Sequence, residues 1–414
     1  MINVDTKSFF YHLDKLLLIL ADELRLTDRE DSYSTELVFD NGIQDDVIKI
    51  HIRKELKVPP EIPVIIIDAD ANKGLIECFR SITSCRDIPV ERFAEVHQFN
   101  LTFSLYSIQK NDYFLNQIHS FINRVSESGE TLIVTTKKIR CLLTGERSYG
   151  ALPASGMFNN ARVIHFQNLR GINDYKDFDN VIVLGREQPP PQAIESMAKA
   201  LWWDEDRPLR LVSEYGKDNS YISKPRGYRM RNKSPESIVV QVHPDRRVQG
   251  ILEQIRESEI TQAIDRLRLV RPKEIETDEG TVTVNRQVFI LTSIPVDITV
   301  DHLWNWDHLH EFLRLWEETN GAIPLSPADL IQLLPTVNSI HGAKKTVSRL
   351  KGILRLIYIL ISDEVPLFFS YKVNSSVSGR PATAIVSDKH VEPKKALEEV
   401  IGEGVEFFEV ITGE

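Results

Sequence analysis

Up to about residue 300, short unbroken runs of β-branched and aliphatic residues are each closed by polar or turn-forming residues. Residues 131–136 read TLIVTT, 161–166 ARVIHF and 180–185 NVIVLG. Apolar runs of this length predict strands buried on both faces, as in a parallel sheet covered by helices on either side. Residues 63–70, PVIIIDAD, carry the same signature and predict another buried strand, with acids at its carboxyl end and a helix over 75–80 behind it. Residues 111–128 place Phe114, Leu115, Ile118, Phe121, Ile122 and Val125 on one helical stripe. Residues 237–242 and 286–292 predict strands, and 245–269 a long helix. Strands alternating with helices in this way give an α/β class with a parallel sheet.

The flanking regions differ. Residues 9–24 predict an amphipathic packing helix, because Asp14, Lys15, Asp22 and Glu23 bracket its leucine run too closely for a membrane span or signal peptide. Residues 25–59 are acidic and mixed. Residues 186–235 are rich in Pro, Arg, Tyr and Trp and predict an excursion from the sheet, a hairpin or mobile loop with short strands near 209–213 and 228–230. Beyond residue 301, helical patterns over 302–318, 327–334 and 342–355 precede strand-like runs at 367–371 and 383–386, the order of a winged-helix domain. The expected organisation is a helical and linker segment over 1–60, an α/β lobe over 61–300, and a mainly α, winged-helix-like domain over 301–414.

Composition changes this picture little. A chain of 414 residues exceeds one ordinary domain, and a formal charge of −10 opposes bulk attraction to a polyanion. Screening over about 8–10 Å still allows a local basic groove. Cys78, Cys85 and Cys141 are too few and too irregularly spaced for a disulfide framework or a zinc site, so they predict reduced, mostly buried thiols of a cytoplasmic protein and no bound metal.

No G-x-x-x-x-G-K-[ST] loop occurs. Gly342-Ala343-Lys344-Lys345-Thr346 lacks its first glycine, and its lysines, with Arg349 and Lys351, fit either a phosphate contact or a solvated helix face. Asp68 and Asp70 fit a metal-binding strand end or a helix cap; a nuclease reading wants a third acid or histidine beside them. Lys224, Arg226, Arg229, Arg231 and Lys233, interleaved with Tyr221 and Tyr228, fit a single-strand contact of cations and stacking rings, or a solvated loop.

Three segments combine further: VTTKK at 134–138, HFQNLRGIND at 165–174 and QAIDRLRL at 262–269. Together they resemble the superfamily 2 helicases, specifically the helicase-like proteins of phages and integrated mobile elements. The resemblance covers about residues 60–300 and implies a RecA-like fold, the second lobe of a nucleic-acid motor. It implies that Thr135, Thr136 and Lys137 hold the sugar-phosphate backbone as motif IV. Asn168, Arg170 and Asn173 would couple that grip to a nucleotide cleft as motif V, with Gly171 permitting a tight turn. Gln262, Arg266 and Arg268 match motif VI; Gln262 and Arg266, at i and i+4, share a helix face, and an arginine there could reach a γ-phosphate as an arginine finger. Glu257, Glu259 and Asp265 make a salt-bridged helix surface the competing reading.

The pattern departs from the family in places. The second motif VI arginine falls one place early, Asn173 stands where Asp is common, and Asp70 replaces the threonine that often ends the motif III strand, here PVIIIDAD. Motifs before motif III are missing. The resemblance therefore implies ATP with Mg2+ only if a P-loop-bearing RecA-like lobe is supplied, by another chain or by sequence preceding this one, together with single-stranded or forked DNA and no membrane. A non-catalytic DNA-binding or scaffolding protein derived from a helicase is the alternative.

Overall fold

The structure is a computed structural model. It describes residues 14, 17–18, 20–25, 33, 35–40, 45–51, 53, 56–147, 151–169, 171, 173–215, 219–277, 280–334, 339–360, 365–373, 381–402 and 404–411. Described positions between 14 and 23 are helical or lead into the turn that follows, and the rest of the helix expected over 9–24 lies outside the described residues. The acidic linker holds a hairpin of β1 (Thr35–Asp40) and β2 (Asp45–Ile50).

Residues 63–70 correct the sequence reading, because no strand forms there. Val64, Ile65, Ile66 and Ile67 are all exposed, Ile67 at 95%, in a segment that ends in a turn at 69–70. Their β-branching favours extended backbone, but a strand needs a neighbour for its N–H and C=O groups, and no strand of the described residues pairs with it. The helix behind it is shorter than expected: α1 (Lys73–Glu77), capped by Asn72, whose Oδ1 accepts from Leu75 N at 3.2 Å.

The α/β unit follows in the expected order. It begins with β3 (Ala94–Phe99), α2 (Leu105–Gln109) and α3 (Asp112–Glu127), and continues through β4 (Thr131–Thr135), α4 (Lys137–Thr144), β5 (Gly156–Phe158), β6 (Ala161–His165) and β7 (Asn180–Leu184). After α5 (Pro191–Leu201), the short α6 (Val212–Tyr215) replaces the strand expected at 209–213. The basic stretch is ordered as strands: β8 (Ile222–Gly227) pairs with β10 (Ser237–Val242), and β9 (Arg229–Met230) pairs with β14 (Thr299–Val300). The long helix is α7 (Arg246–Ile264), ending in a 3-10 turn at Asp265–Leu267. A hairpin of β11 (Lys273–Thr277) and β12 (Gly280–Val284) leads into β13 (Arg286–Leu291).

The central seven-stranded sheet has the order β15-β3-β13-β7-β4-β6-β5, where β15 is His302–Trp304. Every pairing is parallel except β5 with β6. All residues of β4 and β7 are buried, and alternate side chains supply two different cores. Ile133, Ile182 and Leu184 face α3 and α4, whereas Leu132, Val134, Val181 and Val183 face Ile260, Ala263 and Ile264 of α7. Two-sided burial explains why these runs show no polar alternation.

The core does not divide at residue 300. Beyond β15, α8 (Trp306–Glu318) buries Trp306, Leu309 and Phe312 in the same cluster as Phe99 and Phe121. The remainder comprises β16 (Ala322–Pro324), α9 (Pro327–Leu333), α10 (Ile340–Gly352), α11 (Leu354–Leu360), β17 (Pro366–Val373), β18 (Ala382–Ser387), α12 (Pro393–Ile401) and β19 (Val405–Val410). Its strands form an antiparallel sheet ordered β16-β18-β17-β19. Among the described residues no helix is long and apolar enough to cross a membrane. The three thiols are free, and Cys85 is exposed where burial was expected, because it lies in the open segment that follows α1.

Edge strand β15 is held by a buried histidine. Trp304 Nε1 donates to His97 Nδ1 at 3.0 Å, so His97 Nε2 carries the proton donated to Gln287 Oε1 at 2.8 Å. Burial pushes the His97 imidazole down to about 4. Between pH 6.5 and about 4 the unfolded chain then binds a proton that the fold refuses, so this residue removes stability as pH falls through that window. His97→Asn, which keeps an acceptor near Nδ1, flattens the fall in melting temperature across the window. An unchanged slope would show that His97 titrates normally.

Candidate functional site

Chain direction marks the first place to look. From β4 the chain steps through α4 to β6 on one side, and from β7 it steps to β13 on the other, so the switch point lies at the carboxyl ends of β4 and β7. Crevices at such points collect ligands in open α/β sheets. Thr135, Thr136 and Lys137 stand there, as the sequence anticipates, but with different duties. The Thr135 hydroxyl is fully buried and donates to Leu184 O at 2.7 Å, tying β4 to β7. Thr136 caps α4, accepting from Ile139 N at 3.4 Å. Lys137 and Lys138 are exposed in the first turn of α4, where a positive helix end adds to their charge.

Two arginines at this end were missed by sequence reasoning. Arg140 of α4 is fully buried, forking Glu146 at 2.8 and 2.9 Å and lying 3.2 Å from His165 Nδ1. Burial, with Arg140 and Lys137 nearby, holds His165 below the usual histidine range. Arg186 follows β7 through Gly185, whose φ of +76° and closeness to Phe103 O, 2.7 Å from a would-be Cβ, admit only glycine. Its guanidinium reaches Thr292 Oγ1 at 3.3 Å and Ser293 Oγ at 3.5 Å and pairs with no carboxylate among the described residues. Burial and neighbouring Arg256 push it down to about 10. The available signal was a Gly-Arg pair directly after a buried strand.

The loop after β6 carries the second group of candidates away from this end. Asn168 Nδ2 donates to Ala154 O at 3.2 Å, and Gln167 N to Glu259 Oε2 of α7 at 2.9 Å. Arg170 lies outside the described residues. Gly171 has φ +78° with open space around it, so backbone conformation rather than crowding requires glycine. Asn173 Oδ1 then accepts from Arg268 Nη2 at 2.5 Å.

That contact lies at the opposite end of the sheet. Leu269 O accepts from Phe93 N, just before β3, and Leu267 O accepts from Arg286, the first residue of β13. The last turn of α7 thus sits at the amino ends of the strands. Arg266 lies in the 3-10 turn, where Nε donates to Gln262 O at 3.1 Å. Arg268 is exposed, with φ +54°. Arg92 forks Asp265 at 2.8 and 2.9 Å and anchors this corner.

The basic stretch forms no open cationic loop. Arg226 pairs with Glu257 at 2.8 Å and Glu253 at 3.2 Å, Arg229 with Asp297, and Arg231 with Asp301. Tyr228 is buried and donates to Ser293 O, so its ring is not presented for stacking, and Tyr221 is half-buried and donates to Pro189 O. Of the five cations of this stretch, Lys224 and Lys233 have no side-chain partner among the described residues, and both are exposed. On α10, Lys344, Lys345, Arg349 and Lys351 are solvent-facing.

A cavity of about 970 Å³ lies between residues 56–87 and α7 and includes Asp68 and Asp70. Asp68 Oδ1 accepts from Asp70 N at 2.8 Å, a local turn rather than a helix cap. No group of three or more His, Cys, Asp or Glu able to hold a metal occurs among the described residues. Compared with known proteins, this chain matches no family model, no curated protein and no solved structure.

Burial, with Asp265, Asp68 and Asp297 nearby, pushes the Asp70 carboxyl up to about 6. The fold then holds a proton that the unfolded chain has released, so stability falls as pH rises from about 4 to 6. Asp70→Asn therefore raises the melting temperature at pH 7.5, and the gain closes by pH 4. A gain of equal size at both values, or a loss at pH 7.5, would contradict this.

Proposed function

We propose that this chain is the second, RecA-like lobe of a superfamily 2 helicase-type motor, gripping single-stranded or forked DNA at the carboxyl ends of its parallel strands. The reading rests on one observation: the candidate residues divide between two ends of one sheet, and the loop at 166–174 runs from one group to the other along α7. A strand end that leads into the exposed Lys137 and Lys138 of α4 suits phosphate contacts that read no base. An exposed arginine held by Asn173 at the far end suits a face that meets a nucleotide bound elsewhere. ATP with Mg2+ enters only when a P-loop-bearing first lobe is supplied, from another chain or from sequence outside these residues. The exposed run Val64–Ile67 supports that requirement, since its pattern is that of a strand inside a sheet. In this reading the exposed basic face of α10, followed by the β17–β18 hairpin, serves as a winged-helix-like contact.

A second reading, a helicase-derived protein that binds DNA without catalysis, is favoured by Arg266 turning back onto Gln262 O. Both readings give a chain that hydrolyses no ATP alone. DNA binding by the 414-residue chain is measured across a salt series, with ATPase assays beside it. Affinity for single strands falls as salt rises, and Lys137→Ala with Lys138→Ala reduces the log–log slope by about 1–2. A salt-independent failure to bind DNA would overturn both readings. DNA-stimulated hydrolysis by the chain alone would overturn the claim that it lacks a nucleotide site of its own. Restoration of hydrolysis by a first lobe, lost again in Arg268→Ala, separates the motor from the binding protein.

A further inference from the structure

A second cavity lies beside the one that holds Asp68 and Asp70 and includes none of the strand-end candidates. About 1290 Å³ in volume, it opens beside the amino end of α7, between that helix, the loop after α5 and residues 71–78. Its charges follow a simple account. Each carboxylate in the lining touches a cation, though not always one of its own: Asp204 pairs with Arg53 at 2.5 Å, Glu205 and Asp245 share Arg247 at 2.8 and 3.0 Å, Glu77 pairs with Lys73 at 3.7 Å, and Glu253 pairs at 3.2 Å with Arg226, which Glu257 also holds. Three guanidiniums in the same lining, Arg207, Arg210 and Arg246, have no side-chain hydrogen bond or ion pair among the described residues, and all three are exposed to the cavity mouth.

The lining holds six cations, Arg53, Lys73, Arg207, Arg210, Arg246 and Arg247, against five carboxylates, and the three guanidiniums without a partner among the described residues leave their donors free for an anion. The setting is rigid. Arg246 is the first residue of a helix of 19 residues, and Asp245, buried, caps that helix and accepts from Arg210 N at 3.1 Å, fixing the chain that carries Arg210. Arg207 is fixed through its carbonyl, which accepts from Arg247 Nη1 at 3.2 Å. Guanidiniums offer paired N–H donors matched to phosphate oxygens, and the helix end adds positive potential. The volume exceeds that of a single phosphate.

We propose that Arg207, Arg210 and Arg246 form a binding site for a ligand carrying two or more phosphate groups. Its source is either a phosphodiester strand of nucleic acid or a free polyphosphate such as the tail of a nucleotide. The site is independent of the motor reading, since none of these arginines belongs to the strand-end group.

The test uses the full chain, with pyrophosphate followed by calorimetry and an oligothymidylate of about 20 nucleotides followed by fluorescence anisotropy. R207Q/R210Q/R246Q is compared with the unaltered chain, and circular dichroism confirms that the fold is kept. R207K/R210K/R246K, which keeps the charge but loses the fork, provides a second readout if the first variant misfolds. The proposal expects affinity for at least one probe to fall about tenfold or more in the glutamine variant, and by less in the lysine variant. Loss for pyrophosphate identifies a free polyphosphate as a sufficient ligand, and loss for the oligonucleotide alone identifies the strand. Binding of both probes unchanged in both variants, or binding of neither probe by the unaltered chain, would overturn it. Oligonucleotide affinity lost with Lys137 and Lys138 while both probes keep their affinity in the arginine variants would uphold the motor reading and sink this site.

Discussion

Both faces of the central sheet are covered by helices, so β4 and β7 have no position on either face at which a polar side chain could meet water. Polar chemistry is thereby driven to the strand ends, where backbone groups and short hydroxyls are the first atoms to emerge. Thr135, Thr136, Gly185 and Arg186 at one end, and Arg268 with Asn173 near the other, follow from this constraint. The loop after β6 links the two because it must carry the chain back to the amino end of β7 without a covering helix of its own.

Helix α7 makes the arrangement rigid. Arg256 is fully buried, forks the neighbouring Glu257 at 2.8 and 3.0 Å and donates to Gln241 O at 2.9 Å, while Glu257 also receives Arg226. Such a pair adds little net stability over an apolar substitute, yet removing one member costs about 3–5 kcal/mol, because the other charge is left buried. Its consequence here is positional: the helix is held against the β8–β10 ribbon. The same rigid helix presents Arg246 at one end and the turn bearing Arg266 at the other.

Much of the fold was legible because two-sided burial leaves an unbroken apolar run, as in TLIVT and NVIVL, and amphipathic stripes such as that of α3 mark covering helices. The same rule misread PVIIID. An apolar run declares which surroundings a segment prefers and says nothing of whether this chain supplies them. The basic stretch misled for a related reason: Arg226, Arg229 and Arg231 looked available until partners 27 to 70 residues away, Glu253, Glu257, Asp297 and Asp301, closed on them. Arg186 stayed hidden because its surroundings are made where the end of β7 meets the residues after β13, which no local pattern records, and Arg140 because its nearby partner Glu146 gives no sign that the pair is buried. The unpaired arginines at 207, 210 and 246 were equally invisible, since being unpaired is a property of the assembled surface.

The proposed function makes the strand ends the surface that meets nucleic acid, and hydrogen–deuterium exchange of the full chain with and without single-stranded DNA tests this most directly. The expected result is added protection at 134–138, 166–169 and 185–187. Protection confined to the β8–β10 ribbon, or none along the strand ends at saturating DNA, would contradict it.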